Sequence, residues 1–175
     1  MRVNKNAMLF MLLACSAFTA VSHAADGTIN FTGTITDVAC IVTPATANQT
    51  VTMGTVSASA LANVGDTAAP SRFDIVLTHC PATATRAMVK FDGPADANNS
   101  SLLALTNSAG KANGVAVGIY EGDANTLIAV GSPSASRTLS ATADTTFNFF
   151  AKYVATGPVV PGSANAVSDF TVIYN

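Results

Sequence analysis

The stretch from Thr28 to Asp37 reads Thr-Ile-Asn-Phe-Thr-Gly-Thr-Ile-Thr-Asp and alternates throughout. Ile29, Phe31, Gly33 and Ile35 share one face, and Thr28, Asn30, Thr32, Thr34 and Thr36 share the other. This period of two is what a half-buried β-strand requires, so the stretch needs an apolar surface to lie against. It sits close to one end of the chain, and the other end alternates in the same way: Phe170, Val172 and Tyr174 on one face, Thr171 and Ile173 on the other. Gly33 stands out within the apolar face. A glycine there weakens an ordinary core strand but suits a strand that must approach another backbone closely.

Upstream of this strand, Arg2 and Lys5 form a basic start, Ala7 to Val21 is almost entirely apolar, and Ser22-His23-Ala24 places small residues around a cleavage point. The pattern predicts a secretory signal peptide over residues 1–24. The apolar run is short for a span of roughly 20 residues and lacks a basic stop-transfer cluster, which argues against a membrane anchor. A lipoprotein box at Leu12-Leu13-Ala14-Cys15 fits less well, because the apolar run continues past Cys15. The remaining chain has a length suited to one domain. With Arg2 and Lys5 gone, six of the eight basic residues face all ten acidic ones. That balance disfavours nucleic acid or an anionic membrane as a partner.

Cys15 leaves with the signal, so Cys40 and Cys80 remain as an even pair in an oxidising compartment, and a disulfide between them is expected. On the chain-entropy account, closing that loop contributes about 4 kcal/mol. Short strands separated by turn signals are predicted at Cys40–Thr43, Gln49–Met53, Arg72–Cys80, Arg86–Phe91, Leu102–Thr106, Gly114–Tyr120, Thr126–Val130, Thr145–Val154 and Ser168–Tyr174, with a short helical turn at Ser57–Asn63. Gly65-Asp66, Gly93-Pro94, Asn98-Asn99, Gly122-Asp123, Ser132-Pro133 and the segment around Gly157 to Gly162 read as the intervening loops. Many short strands at this spacing indicate an all-β, immunoglobulin-like sandwich.

Catalysis needs a constellation of polar groups, and the chain is short of the parts. After the signal there is one histidine (His79), one glutamate (Glu121) and no phosphate-cradling glycine loop. His79 adjoins Cys80, but a disulfide-bonded Cys80 is no nucleophile. Asp92, Asp96 and Asp123 sit in turn sequences whose spacing matches no calcium loop. No enzyme activity, cofactor or metal is therefore expected. The two ends remain. An interior last strand at Phe170–Tyr174 would lack a neighbour, leaving unpaired backbone groups and an open apolar groove, and Thr28–Asp37 has the alternation and length to cover such a groove.

Gly27-Thr28-Ile29-Asn30-Phe31-Thr32-Gly33 followed by Cys40, Phe73-Asp74-Ile75-Val76-Leu77 before Cys80, and Phe150-Ala151-Lys152-Tyr153-Val154-Ala155-Thr156-Gly157 together resemble structural pilin subunits of the bacterial chaperone–usher, type 1 fimbrial family. Tyr174 at the penultimate position and Gly162, fourteenth from the end, fit the family's C-terminal pattern. The resemblance implies an incomplete immunoglobulin-like sandwich lacking its C-terminal, seventh strand, with an N-terminal donor-strand extension at 25–38 and a pilin domain at 39–175. It implies a structural, non-enzymatic subunit exported through the periplasm to a cell-surface fimbria, with a pilus chaperone, an outer-membrane usher and neighbouring pilins as partners. The family assembles by donor-strand exchange, in which a neighbour's extension supplies the missing strand. Carried onto this sequence, Ile29, Phe31, Gly33 and Ile35 form the donor strand, while Gly162, Phe170, Val172 and Tyr174 belong to the acceptor groove and chaperone contact. The expected role is the major shaft subunit. The alternatives are a minor adaptor or tip subunit of the same family, or a secreted monomeric β-sandwich binding module whose Thr28–Asp37 strand folds back onto its own groove.

Overall fold

The computed structural model describes Gly27, residues 29–33, Ile35 and residues 39–175. The expected signal peptide, and the parts of the extension at Ala25, Asp26, Thr28, Thr34 and 36–38, lie outside the described residues. The chain divides after Ile35, and the body that follows is built almost wholly from strands. They are β1 (Ile41–Val42), β2 (Thr67–Thr78), β3 (Arg86–Asp92), β4 (Asn113–Glu121), β5 (Leu127–Ile128), β6 (Arg137–Thr138), β7 (Thr145–Val160) and β8 (Asp169–Tyr174). All named pairings are antiparallel. One sheet runs β1-β2-β7-β4-β5 and the other β6-β3-β8.

Alternation builds the core between these sheets. Ile75 and Leu77 of β2, Ala87, Val89 and Phe91 of β3, and Phe147, Phe149, Ala151 and Tyr153 of β7 all point inward and are buried. Phe91 and Phe149 meet edge to face across the sheets, with ring centroids 5.0 Å apart. Such a pair adds about 0.5–1.5 kcal/mol beyond the area it buries. β4 departs from strict alternation, with Val115 to Tyr120 all buried, because its outer face is also covered: Leu102 folds over Ala116 and Val154 there. The expected disulfide between Cys40 and Cys80 is present, joining the residue before β1 to the loop after β2 across a Cα–Cα distance of 4.2 Å.

Several expectations are corrected. Gln49–Met53 forms no ladder, although Val51 and Met53 do face the core. Leu102–Thr106 is reduced to bridges at Leu103, because the chain there must fold Leu102 over the sheet's outer face. β7 continues to Val160 through Gly157 and Pro158, which read as loop; a register shift between Asn113 and Val115 absorbs the irregularity. There Gly114, at φ +69°, lies so close to the Pro158 carbonyl that no side chain fits. β6 and the short helix α1 (Pro44–Ala47) were not expected. The expected turn at Ser57–Asn63 is a 3-10 turn over Ala58–Leu61, with the Ser57 hydroxyl accepting from Ser59 N.

Candidate functional site: an open edge beside the last strand

β8 is bonded to β3 and, among the described residues, to nothing on its other side. In register, Ala87 faces Tyr174, Val89 faces Val172 and Phe91 faces Phe170. Cross-strand partners share a face of the sheet, so all six side chains point at the core. Their burial nevertheless differs. Ala87, Val89 and Phe91 are 0%, 0% and 4% exposed, whereas Phe170, Val172 and Tyr174 are only half-buried. β3 has a strand on either side and β8 has one, so apolar side chains on β8 are left partly open to water. Burial still pushes the Tyr174 phenol above its ordinary pKa.

A second stretch without a ladder is Gln49–Val56. Val51, Met53 and Val56 pack half-buried on the core, yet residues 49–56 make no backbone–backbone hydrogen bond among the described residues. Side chains hold the stretch along β2: Gln49 Nε2 donates to the Asp74 carbonyl at 2.9 Å, and Ser71 Oγ donates to the Thr52 carbonyl at 3.2 Å. Phe73 of β2 is half-buried on the same core, its ring 6.0 Å from Phe91 and 5.6 Å from Phe149. At the end of β8, Tyr174 Oη donates to the Cys40 carbonyl at 3.5 Å. β8 and Gln49–Val56 thus each present a backbone edge without a ladder partner, and their half-buried apolar side chains pack on the same core.

Of the residues expected to donate a strand, Ile29, Phe31 and Ile35 are 79%, 91% and 101% exposed, the most exposed large apolar side chains among the described residues. No atom lies within 4 Å of where a Cβ at Gly33 would stand. Gly162 lies apart from β8. A Cβ there would come within 2.5 Å of Ala112 N and of the Gly110 carbonyl, so the lack of a side chain at 162 lets two backbone segments of the same body touch. Val51, Met53, Val56 and Phe73, half-buried on the same core, were not among the acceptor residues expected from the sequence. The alternation of Val51 and Met53 was visible, but nothing in it said that their strand lacks a partner.

The polar candidates resolve into turns. His79 Nδ1 bonds the Thr78 hydroxyl at 2.9 Å, and Cys80 is in the disulfide. Asp96 accepts from Asn98 N and Asn99 N, and Asp123 accepts from Asn125 N, Thr126 N and the Thr126 hydroxyl. The Thr126 bonds foremost hold the Asp123 carboxyl down at about 2. Among the described residues no three His, Cys, Asp or Glu side chains cluster as metal ligands would, and no helix is long and apolar enough to cross a membrane.

Two antiparallel sheets with one strand position open beside the last strand define an incomplete immunoglobulin-like sandwich of the pilin class. The sequence model for the family described as "Fimbrial protein" matches residues 29–175, and the chain belongs to that family; it is a non-enzymatic fimbrial subunit of the chaperone–usher kind. It is 38% identical over 168 residues to the probable major fimbrial subunit LpfA of Escherichia coli O157:H7, covering 95% of this chain and 93% of that one. It is 37% identical over 165 residues to the long polar fimbria protein A of Salmonella typhimurium, at 93% and 90% coverage. Among solved structures, the antigen and type I fimbria protein of Burkholderia pseudomallei matches at a TM-score of 0.60 and 42% identity, covering 85% of this chain and 97% of that one. A chaperone–usher pilus subunit, from a structure addressing rod uncoiling, matches at a TM-score of 0.65 and 25% identity, with 86% and 96% covered.

Proposed function

We propose that this fimbrial subunit polymerises by donor-strand exchange, its own residues Ile29, Phe31, Gly33 and Ile35 filling the groove of the next subunit. The carrying observation is the unequal burial across the β3–β8 ladder, where each inward residue of β3 is sealed and its partner on β8 is not. A strand laid between β8 and Gln49–Val56 seals Phe170, Val172 and Tyr174 and bonds both free edges. Three apolar donors contribute about 1.5–3 kcal/mol each, against the ordering cost of the extension. The joint is therefore non-covalent and slow to open. Until a neighbour arrives the same groove needs temporary cover, the task of a periplasmic chaperone that hands the subunit to an outer-membrane usher. The role is that of the major shaft subunit, in line with the name of the LpfA relative.

Deleting Ala25 to Ile35 tests the mechanism. The truncated chain is expected to bind its chaperone but stay out of fibres, and normal fibres from it would overturn the reading. Electron microscopy of cells lacking only this subunit tests the shaft role. Complete loss of fibres supports it, and fibres that persist with altered tips or lengths point to a minor subunit instead.

A further inference from the structure

Arg86 opens β3 at the end where β8 finishes, since Arg86 and Asn175 exchange both backbone hydrogen bonds, at 3.3 and 3.0 Å. Its guanidinium donates to Ser136 Oγ at 2.9 Å, the Ser136 carbonyl at 3.2 Å and Thr138 Oγ1 at 3.3 Å, all of them neutral. At the far end of the same strand, Asp92 stands directly opposite Asp169, the first residue of β8. Two carboxylates facing each other across a ladder repel. Lys90, 2.9 Å from Asp92, offsets one of them, and among the described residues no ion pair reaches Asp169. Ala87 and Phe91 face the core, so Arg86 and Asp92, with Asp169 opposite it, lie on the outer face of the sheet. Each body thus carries a cation held on the β6 side of β3 at the Tyr174 end of the ladder and a surplus of negative charge at the Asp169 end.

Strand donation decides where these corners go. Ile29 to Ile35 is long enough to run the length of β8, and Cys40 follows Ile35 by at most roughly 18 Å of chain. Cys40 in turn lies at the Arg86 corner, because Tyr174 contacts its carbonyl and Tyr174 is the register partner of Ala87. A donor running antiparallel to β8 brings its Ile35 end to Asp169 and carries the Arg86 corner of the incoming copy with it. A parallel donor carries that corner to the Arg86 of the receiving copy. The extension's own acids nearly cancel in this choice. Antiparallel seating sets Asp26 towards Arg86 and Asp37 towards Asp169, and parallel seating exchanges them. Arg137, the register partner of Ala87 on β6, adds positive charge to the incoming corner, while Glu121, which lines one hollow with Arg86 and Arg137, and Asp144, beside Thr145 of β7, are acids that offset part of it.

We propose that Arg86 of the incoming copy forms an ionic contact with Asp169 and Asp92 of the receiving copy, and that this contact favours the antiparallel seating of the donated strand. The inference rests on the strand-donation reading above. Its test follows copy-to-copy joining of the full exported chain by light scattering and electron microscopy. R86E and D169K are each expected to slow joining by about tenfold at low salt, as removing electrostatic steering does. A chain carrying both reverses the pair in every copy and is expected to recover most of the rate. R86K, which keeps the charge, is expected to join near the wild-type rate, and D169N to be slowed, so the result does not hang on a misfolded R86E. Wild-type rates from both single reversals, or a double variant no faster than either, overturn the contact. A synthetic peptide of residues 25–39, which has no Arg86, separates the two layers. If it fails to bind the body, strand donation itself fails. If it binds while the charge variants join normally, only the ionic contact fails.

Discussion

At the scale of single residues, Asp123 shows how a turn carboxylate serves stability rather than chemistry. The Thr126 hydroxyl at 2.6 Å, then the Thr126 and Asn125 N–H groups, stabilise its ionised form and hold its pKa at about 2, below the unfolded value of about 3.9. A depressed native pKa contributes stability that is complete above the unfolded value and is lost as pH falls towards 2. Asp123→Ala should therefore lower the denaturation midpoint at pH 6 and approach the wild type near pH 2; an equal gap at both would show that the carboxylate is not the source. Gly162 makes a second residue-scale case. Its fit to the family pattern was legible in the sequence, but its surroundings were not, because only the folded body brings Lys111 against it. Gly162→Ala must displace backbone, and the expected cost is about 1–3 kcal/mol, read as a fall in the midpoint of the isolated subunit. An unchanged midpoint would return Gly162 to a purely external role.

At the scale of elements, long alternating strands were legible and short or irregular ones were not. β3 was read to within one residue, as Arg86–Phe91, because three apolar residues at spacing two leave a single solution. Arg137–Thr138 of β6 is too short to carry a period, and Gly157–Pro158 looks like a turn until pairing with β4 pulls it into β7. α1 had a signal that went unused, a proline at its first turn. Of the proposed groove, the inward face of β8 was visible in the sequence, whereas Val51, Met53 and Val56 stand out only through their missing ladder. Placement within the element sets the energetics. Val89→Ala on sealed β3 should cost about 2 kcal/mol in the isolated subunit, and Val172→Ala, one strand away in the same row, clearly less. Equal losses would mean that β8 is already sealed.

At the scale of the whole molecule, the body is a sandwich whose core is one strand short, so its stability is coupled to whatever fills the slot. Ligand that binds only the folded state adds stability in proportion to the logarithm of its concentration over Kd. A peptide of residues 25–39 at a hundredfold excess over Kd adds about 2.7 kcal/mol. For a body of this size each kcal/mol raises Tm by about 2–4 °C, so the expected shift is roughly 5–10 °C. The shift should come from the apolar face that Ile29, Phe31 and Ile35 leave open to water. A peptide with those three residues changed to serine should therefore leave Tm where it was. If it stabilised the body as well as the native sequence, backbone pairing alone would be sealing the edge and the row of apolar side chains would need another explanation. If neither peptide raised Tm, the half-buried face of β8 would belong to a body stable without a seventh strand, and the joint between subunits would have to be sought elsewhere on its surface.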